Sequence, residues 1–192
     1  MKGIEYECRP VDITGAKENL SPDFKKINPY GQVPTLVIKD SETELVLFQS
    51  LAIIQYLDEA FPETTPLLPV DPVSRARVRI ISDCIAAGIQ PHQNLPGLND
   101  HLNESGQETA KQIITSRFAD LELILTDYAG MCCVGDAVTM ADICLVPQVY
   151  NATRFGIDVT QFPLIYRISG DLLKLPAFNL THPAKQPDAL TT

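Results

Sequence analysis

The residues best placed to do chemistry lie between positions 28 and 61. Gln49 and Ser50 end the apolar run Leu45-Val46-Leu47-Phe48, and the sequence turns helical directly after them. Ser50 stands where an N-cap would stand, its hydroxyl free to meet the amides of the first turn. A helix that starts straight after a strand is an anion site as it stands, because unpaired N–H groups and the helix dipole both favour a carboxylate or phosphate. Gln49 adds an amide beside it. The plainer reading is an N-cap with nothing bound. Val33-Pro34 is the second candidate: proline at the mouth of a strand donates nothing to a ladder, and the residue before it must be extended. A cis bond there would turn the Val33 amide and carbonyl outward to pair with an extended peptide; the alternative is an ordinary edge-strand proline.

The elements that position these residues follow from pattern. Residues 35–38 and 44–48 are β-branched or apolar runs joined by the polar residues 39–43, which predicts a hairpin. Leu51, Ile54, Leu57 and Phe61 then recur at helical spacing, so that helix buries one face. Ahead of the hairpin, the alternation around Tyr6 and Cys8 predicts a strand over residues 5–11, with a loop over 14–20. Pro22 after Ser21 predicts a short helix over 22–27. Four prolines (Pro62, Pro66, Pro69, Pro72) with no helical period mark an interdomain linker.

Beyond the linker the pattern is helical. Val78, Ile81, Ile85 and Ile89 form one stripe, Ile114, Phe118, Leu121, Leu125 and Tyr128 a second, and Ile165, Ile168, Leu172 and Leu175 a third. Such stripes need one another, which predicts an all-helical bundle. Thr139 with Asp142 forms a capping box flanked by Val138 and Ile143, a structural role, and Pro147 falls inside the helix that follows. Gln90 and Asn94, four apart, share a helical face and present two amides toward a cleft or, more plainly, toward solvent.

Composition narrows the function. The chain has 192 residues, 45% hydrophobic and 20% charged, enough for one or two domains. With 15 Lys and Arg against 24 Asp and Glu its net charge is −9, which argues against nucleic acid and against a polybasic membrane contact. No run is long enough for a membrane span, and no signal-peptide pattern follows Met1. The five cysteines (8, 84, 132, 133 and 144) lack metal-ligand spacing and read as reduced thiols of a cytosolic protein, with a redox role for the adjacent Cys132-Cys133 as the lesser alternative. His92, His101 and His182 are too scattered for a metal site.

Several long runs carry a resemblance. NPYGQVPTLVI (28–38), FQSLAIIQYLDEAFP (48–62) and Leu67-Leu68-Pro69 resemble the glutathione-binding half of glutathione transferases, specifically the zeta class that includes maleylacetoacetate isomerases. SDCIAAGIQPHQNL (82–95), VGDAVTMADICLVPQ (134–148) and the tail THPAKQPD (181–188) resemble the same class in the same order. The likeness spans nearly the whole chain.

The resemblance implies an α+β two-domain fold: a partial thioredoxin-like glutathione-binding domain over 1–62, a linker over 63–72 and an all-helical C-terminal domain over 73–192. The family's first strand and helix, with a Ser-Ser-Cys-Ser-Trp-Arg type motif at the glutathione sulfur, have no counterpart; Met1-Lys2-Gly3-Ile4 resembles the end of that helix, and roughly 20 to 25 residues of the pattern are missing. No catalytic residue is therefore assigned. The strand over 5–11 would then lack its partner, a loss large enough to endanger the small domain. By the resemblance, Val33 beside Pro34 holds the cysteinyl backbone of glutathione, Gln49 and Ser50 its γ-glutamyl carboxylate, and Gln90 and Asn94 lie near the tripeptide or its dimer-related neighbour. Arg154 attracts a substrate carboxylate, its plain alternative being to complement the C-terminal end of its own helix. The implied activity is glutathione-dependent cis-trans isomerisation of maleylacetoacetate to fumarylacetoacetate in tyrosine and phenylalanine breakdown, with broader transferase activity, by a cytoplasmic homodimer without metal. The alternative is a catalytically impaired remnant that binds ligand or dimerises.

Overall fold

The computed structural model describes residues 1–39, 44–93, 104–186 and 189. Two compact units divide the chain, Met1–Thr65 and Pro66–Thr192, with the boundary inside the proline-rich stretch.

In the first unit, α1 (Pro22–Ile27) starts as its sequence dictates. Pro22 occupies the first turn, where no N–H is needed, and Ser21 Oγ accepts the Phe24 N–H at 3.2 Å. Strands β1 (Thr35–Lys39) and β2 (Glu44–Phe48) pair antiparallel, from Thr35 opposite Phe48 to Lys39 opposite Glu44, whose side chains pair at 3.0 Å. Helix α2 (Ser50–Ala60) follows without a loop.

Among the described residues these two strands make the whole sheet. The strand expected over 5–11 is not one: no regular structure forms there, and Tyr6 is 79% exposed. Alternation supplies a side-chain pattern, but a strand exists through hydrogen bonds to a neighbour, and β1 and β2 use each other. The α2 stripe is also thinner than its spacing implies. Leu51, Ile54, Leu57 and Phe61 are half-buried, and among the described residues Ile53 is the apolar side chain of this unit that is buried. A polar staple supplements it: Lys2 Nζ, nearly buried, pairs with Asp58 at 2.8 Å and donates to Thr64 Oγ1 at 2.8 Å and to the Phe61 carbonyl at 3.3 Å.

The second unit is helical, with α3 (Pro72–Ala86), α4 (Gln90–Gln93), α5 (Glu104–Tyr128), α6 (Met140–Arg154), α7 (Pro163–Leu172) and α8 (Pro176–Leu180). Asp71 caps α3 by accepting the Ser74 N–H at 2.8 Å. The expected stripes form its core: Val78, Ile81, Ile85 and Ile89 on one side meet Ile114, Phe118, Leu121 and Leu125, all at most 1% exposed. Phe118 meets Phe162 edge-on at 5.5 Å. Leu67 and Leu68 are buried here, and the Leu67 carbonyl accepts the Met140 N–H at 2.9 Å. Leu175 departs from its stripe, 41% exposed, because α7 ends at Leu172 and a new helix starts at Pro176. No helix among the described residues is long and apolar enough to cross a membrane.

Candidate functional site

Asn28 builds the loop that leads into β1. It is fully buried; its Nδ2 donates to the Gln32 carbonyl at 2.8 Å and to Thr35 Oγ1 at 3.1 Å, and its Oδ1 accepts the Tyr30 N–H at 3.0 Å. One side chain thus ties both ends of residues 29–34 together. Gly31 has a φ of +62°, and a Cβ there would lie 2.9 Å from the Asn19 carbonyl oxygen, so glycine is required. Asn19 Nδ2 donates to the Gly31 carbonyl at 2.7 Å, while its Oδ1 is buried with no partner among the described residues. At the end of this braced loop the Val33–Pro34 bond is cis and Val33 is 44% exposed. Tyr30 stacks on Phe48 at 6.1 Å, flanking β2.

The start of α2 corrects the expected cap by one residue. Gln49 occupies the N-cap position and Ser50 is the first helical residue; no side chain caps the helix, and no acidic residue lies in its first turn. Gln49 has a φ of 73° and a ψ of 114°, a conformation that L side chains rarely adopt. Its Nε2 reaches Gln32 Oε1 at 3.4 Å, linking the helix start to the Asn28 loop. Backbone strain of this kind persists where the surroundings enforce it and clusters at ligand clamps. An uncapped helix start with no carboxylate to compete suits an anion. Asn19, Asn28 and Gln32 leave no mark in the hydrophobic periodicity, since their partners (the Gly31 and Gln32 carbonyls, Thr35 Oγ1, the Tyr30 N–H and the Gln49 amide) are brought near only by the folded loop.

In the second unit, Gln90 is half-buried at the start of α4, and Asn94 lies outside the described residues. Arg154 is exposed in the last turn of α6, 3.5 Å from Asn151 Oδ1. Asp142 is fully buried and structural: its carboxylate takes the Thr139 N–H at 2.7 Å, the Thr139 hydroxyl at 2.9 Å and the Cys133 N–H at 2.8 Å. Burial pushes the Cys132 and Cys144 thiols up to about 11 and Cys133 well above its ordinary value, so these sulfurs stay protonated and inert at neutral pH. All five cysteines are unpaired. Among the described residues no group of three or more His, Cys, Asp or Glu side chains is placed to hold a metal.

The arrangement therefore offers an exposed residue beside a cis proline and a donor-rich helix start, with no acid or base between them. It can hold a short extended peptide that carries a carboxylate. Residues 1–59 match the glutathione S-transferase N-terminal domain family. The chain is 47% identical over 189 residues to maleylacetoacetate isomerase of Mus musculus, covering 98% of this chain and 85% of that protein. It is 40% identical over 195 residues to a zeta-class glutathione S-transferase of Euphorbia esula, covering 98% of this chain and 84% of the relative. A crystal structure of maleylacetoacetate isomerase from Anaeromyxobacter dehalogenans 2CP-1, with dicarboxyethyl glutathione and citrate bound in its active site, superposes with a TM-score of 0.87 at 38% identity, covering 99% of this chain and 88% of that one.

Proposed function

This chain belongs to the family of maleylacetoacetate isomerases and zeta-class glutathione transferases, and from that premise we propose that it converts maleylacetoacetate to fumarylacetoacetate with glutathione as cofactor. Broader glutathione transferase activity and a place in tyrosine and phenylalanine breakdown go with that reaction. The fold is α+β, a thioredoxin-like unit followed in sequence by a helical one.

Glutathione fits the residues present, and the observation that carries this is the strained Gln49 at an uncapped, acid-free helix start, linked through Gln32 to the cis-proline loop. When bound, glutathione supplies the thiol whose reversible addition to a conjugated double bond lets that bond rotate. The chain's own residues bind and orient. Val33 holds the cysteinyl backbone beside Pro34. The first-turn amides, Ser50 and Gln49 hold the γ-glutamyl carboxylate. Gln90 and Asn94 supply further amides, and Arg154, always charged and able to bind a carboxylate through two N–H groups, receives a substrate carboxylate.

We assign the glutathione-binding domain to 1–62, the linker to 63–72 and the helical domain to 73–192. Five unpaired thiols suit a cytoplasmic setting. The exposed Val73 and Ile80 on α3 suit a homodimer contact.

Titration calorimetry with glutathione and an assay of maleylacetone isomerisation test the reading together. Saturable binding with turnover is expected, and Ser50→Ala should weaken binding at least about tenfold, the worth of one hydrogen bond to a charged group. Wild-type affinity in Ser50→Ala removes Ser50 from the site; absence of binding in the unsubstituted chain rejects the whole reading.

A further inference from the structure

Within the second unit, α3, α5, α6, α7 and α8 each bury apolar side chains, among them Val78, Phe118, Leu145, Ile165 and Phe178. Helix α4, with the sequence Gln90-Pro91-His92-Gln93, buries none. Its buried side chain is the amide of Gln93, 6% exposed. A helix of four residues has almost no stability of its own, so something outside it must hold it down.

The tie is a second amide. Gln148 on α6, 1% exposed, donates from Nε2 to Gln93 Oε1 at 2.9 Å. Among the described residues this is the hydrogen bond that joins a side chain of α4 to another helix. At its other end α4 hangs from Ile89, which is 1% exposed. The Ile89 N–H reaches the Ile85 carbonyl, and its own carbonyl accepts the His92 N–H, both at 3.1 Å. Gly88 lets the chain pass tightly there, since a Cβ would lie 2.5 Å from the Cys84 carbonyl oxygen.

This tie is balanced rather than tight. While it is closed, Gln148 Oε1 is buried with no partner among the described residues, and an unmet buried acceptor costs about as much as a neutral hydrogen bond contributes. Lifting α4 lets water reach both amides and relieves that acceptor. Two apolar side chains at these positions would gain from burial and find no such relief on opening.

We infer that the Gln93–Gln148 pair is a latch: when this one bond opens, α4 lifts from the helical core as a piece, turning about Ile89. The apolar stripes of α3 and α5 stay closed as it does so. The device lies wholly inside the second unit.

Amide hydrogen exchange of the full chain tests it, read at His92 and Gln93 with Ile81, Ile85 and Leu121 as references. In Gln148→Leu, which strips Gln93 of its donor, exchange at residues 92 and 93 should quicken about tenfold while the references change less than twofold. In Gln93→Leu/Gln148→Leu the two apolar side chains should hold α4 down, and exchange at the same positions should fall below that of the unsubstituted chain. Equal exchange at 92 and 93 in all three forms overturns the inference. So does a rise in Gln148→Leu shared equally by the references, because the whole bundle would then be opening, and so does faster exchange in the double variant than in the unsubstituted chain. If Gln148→Leu does not fold, Gln93→Ala breaks the same bond from the α4 side, with the same local rise expected and the same results overturning the latch.

Discussion

Among the described residues, the buried apolar side chain of the first unit is Ile53, supplemented by the Lys2–Asp58 staple, whereas the second buries Val78, Ile81, Ile85, Ile114, Phe118, Leu121, Leu125, Ile165 and Ile168 to at most 1% exposure. Backbone geometry differs in the same sense. Among the described residues, the positive-φ positions of the second unit are the glycines 135 and 156, while the first has Lys17 and Gln49 there, along with Gly3 and Gly31. Packing specifies the second unit. Hydrogen bonds to carbonyls, and strain held in place by them, specify the first, and the candidate glutathione site is made of those features.

The largest test of this contrast is truncation of each core. Phe118→Ala removes a fully buried ring that meets Phe162, and should lower stability by about 3 to 5 kcal/mol in urea unfolding. Ile53→Ala, in a thinner layer, should lower it by about 2 kcal/mol. Equal losses would mean that the first unit is as tightly packed as the second. Next comes the staple. Lys2→Met removes the cation that pairs with the nearly buried Asp58, so a loss of about 3 kcal/mol is expected, read as faster amide exchange over α2. Pairing it with Asp58→Leu should restore most of that loss, and failure to do so would show that the two side chains act separately.

How much could be read in the sequence follows the same division. The α3 and α5 stripes, the Ser21 and Asp142 caps and the β1–β2 hairpin all came from spacing, because helix faces and strand alternation are local and repetitive. The strand over 5–11 did not form, since strand identity belongs to a pair. Leu175 left its stripe because Pro176 starts another helix. The pattern puts the cap at Ser50, one residue late, because the positive φ of the true cap, Gln49, leaves no mark in it. Asn28 opens the run NPYGQVPTLVI, but the three hydrogen bonds with which it closes the loop have no counterpart in periodicity.

A smaller effect appears with pH and belongs to the second unit. Cys132 and Cys144 titrate at about 11 when folded, against about 8.5 to 9 for an unfolded thiol. Between pH 9 and 11 the unfolded chain therefore releases protons that the folded one keeps, and stability must fall as pH rises through that window, being fully present below it. Urea midpoints at pH 8 and 10.5 check the sign. Exposed Cys8, in the first unit, should be the thiol that iodoacetamide labels readily at pH 8 in the native state.

The smallest change is the most informative about function. Gln49→Gly replaces a residue for which φ 73° costs about 1 to 3 kcal/mol with one that adopts it freely, at some expense in unfolded-chain entropy. The net expectation is a gain of about 1 kcal/mol for the first unit. The same substitution deletes the amide that reaches Gln32 and that we assign to the γ-glutamyl carboxylate, so glutathione should bind more weakly. Stability and affinity then move in opposite directions, as they must if strain is held at the site for the ligand's sake. If both fall together, Gln49 is an ordinary structural residue and its conformation says nothing about ligand.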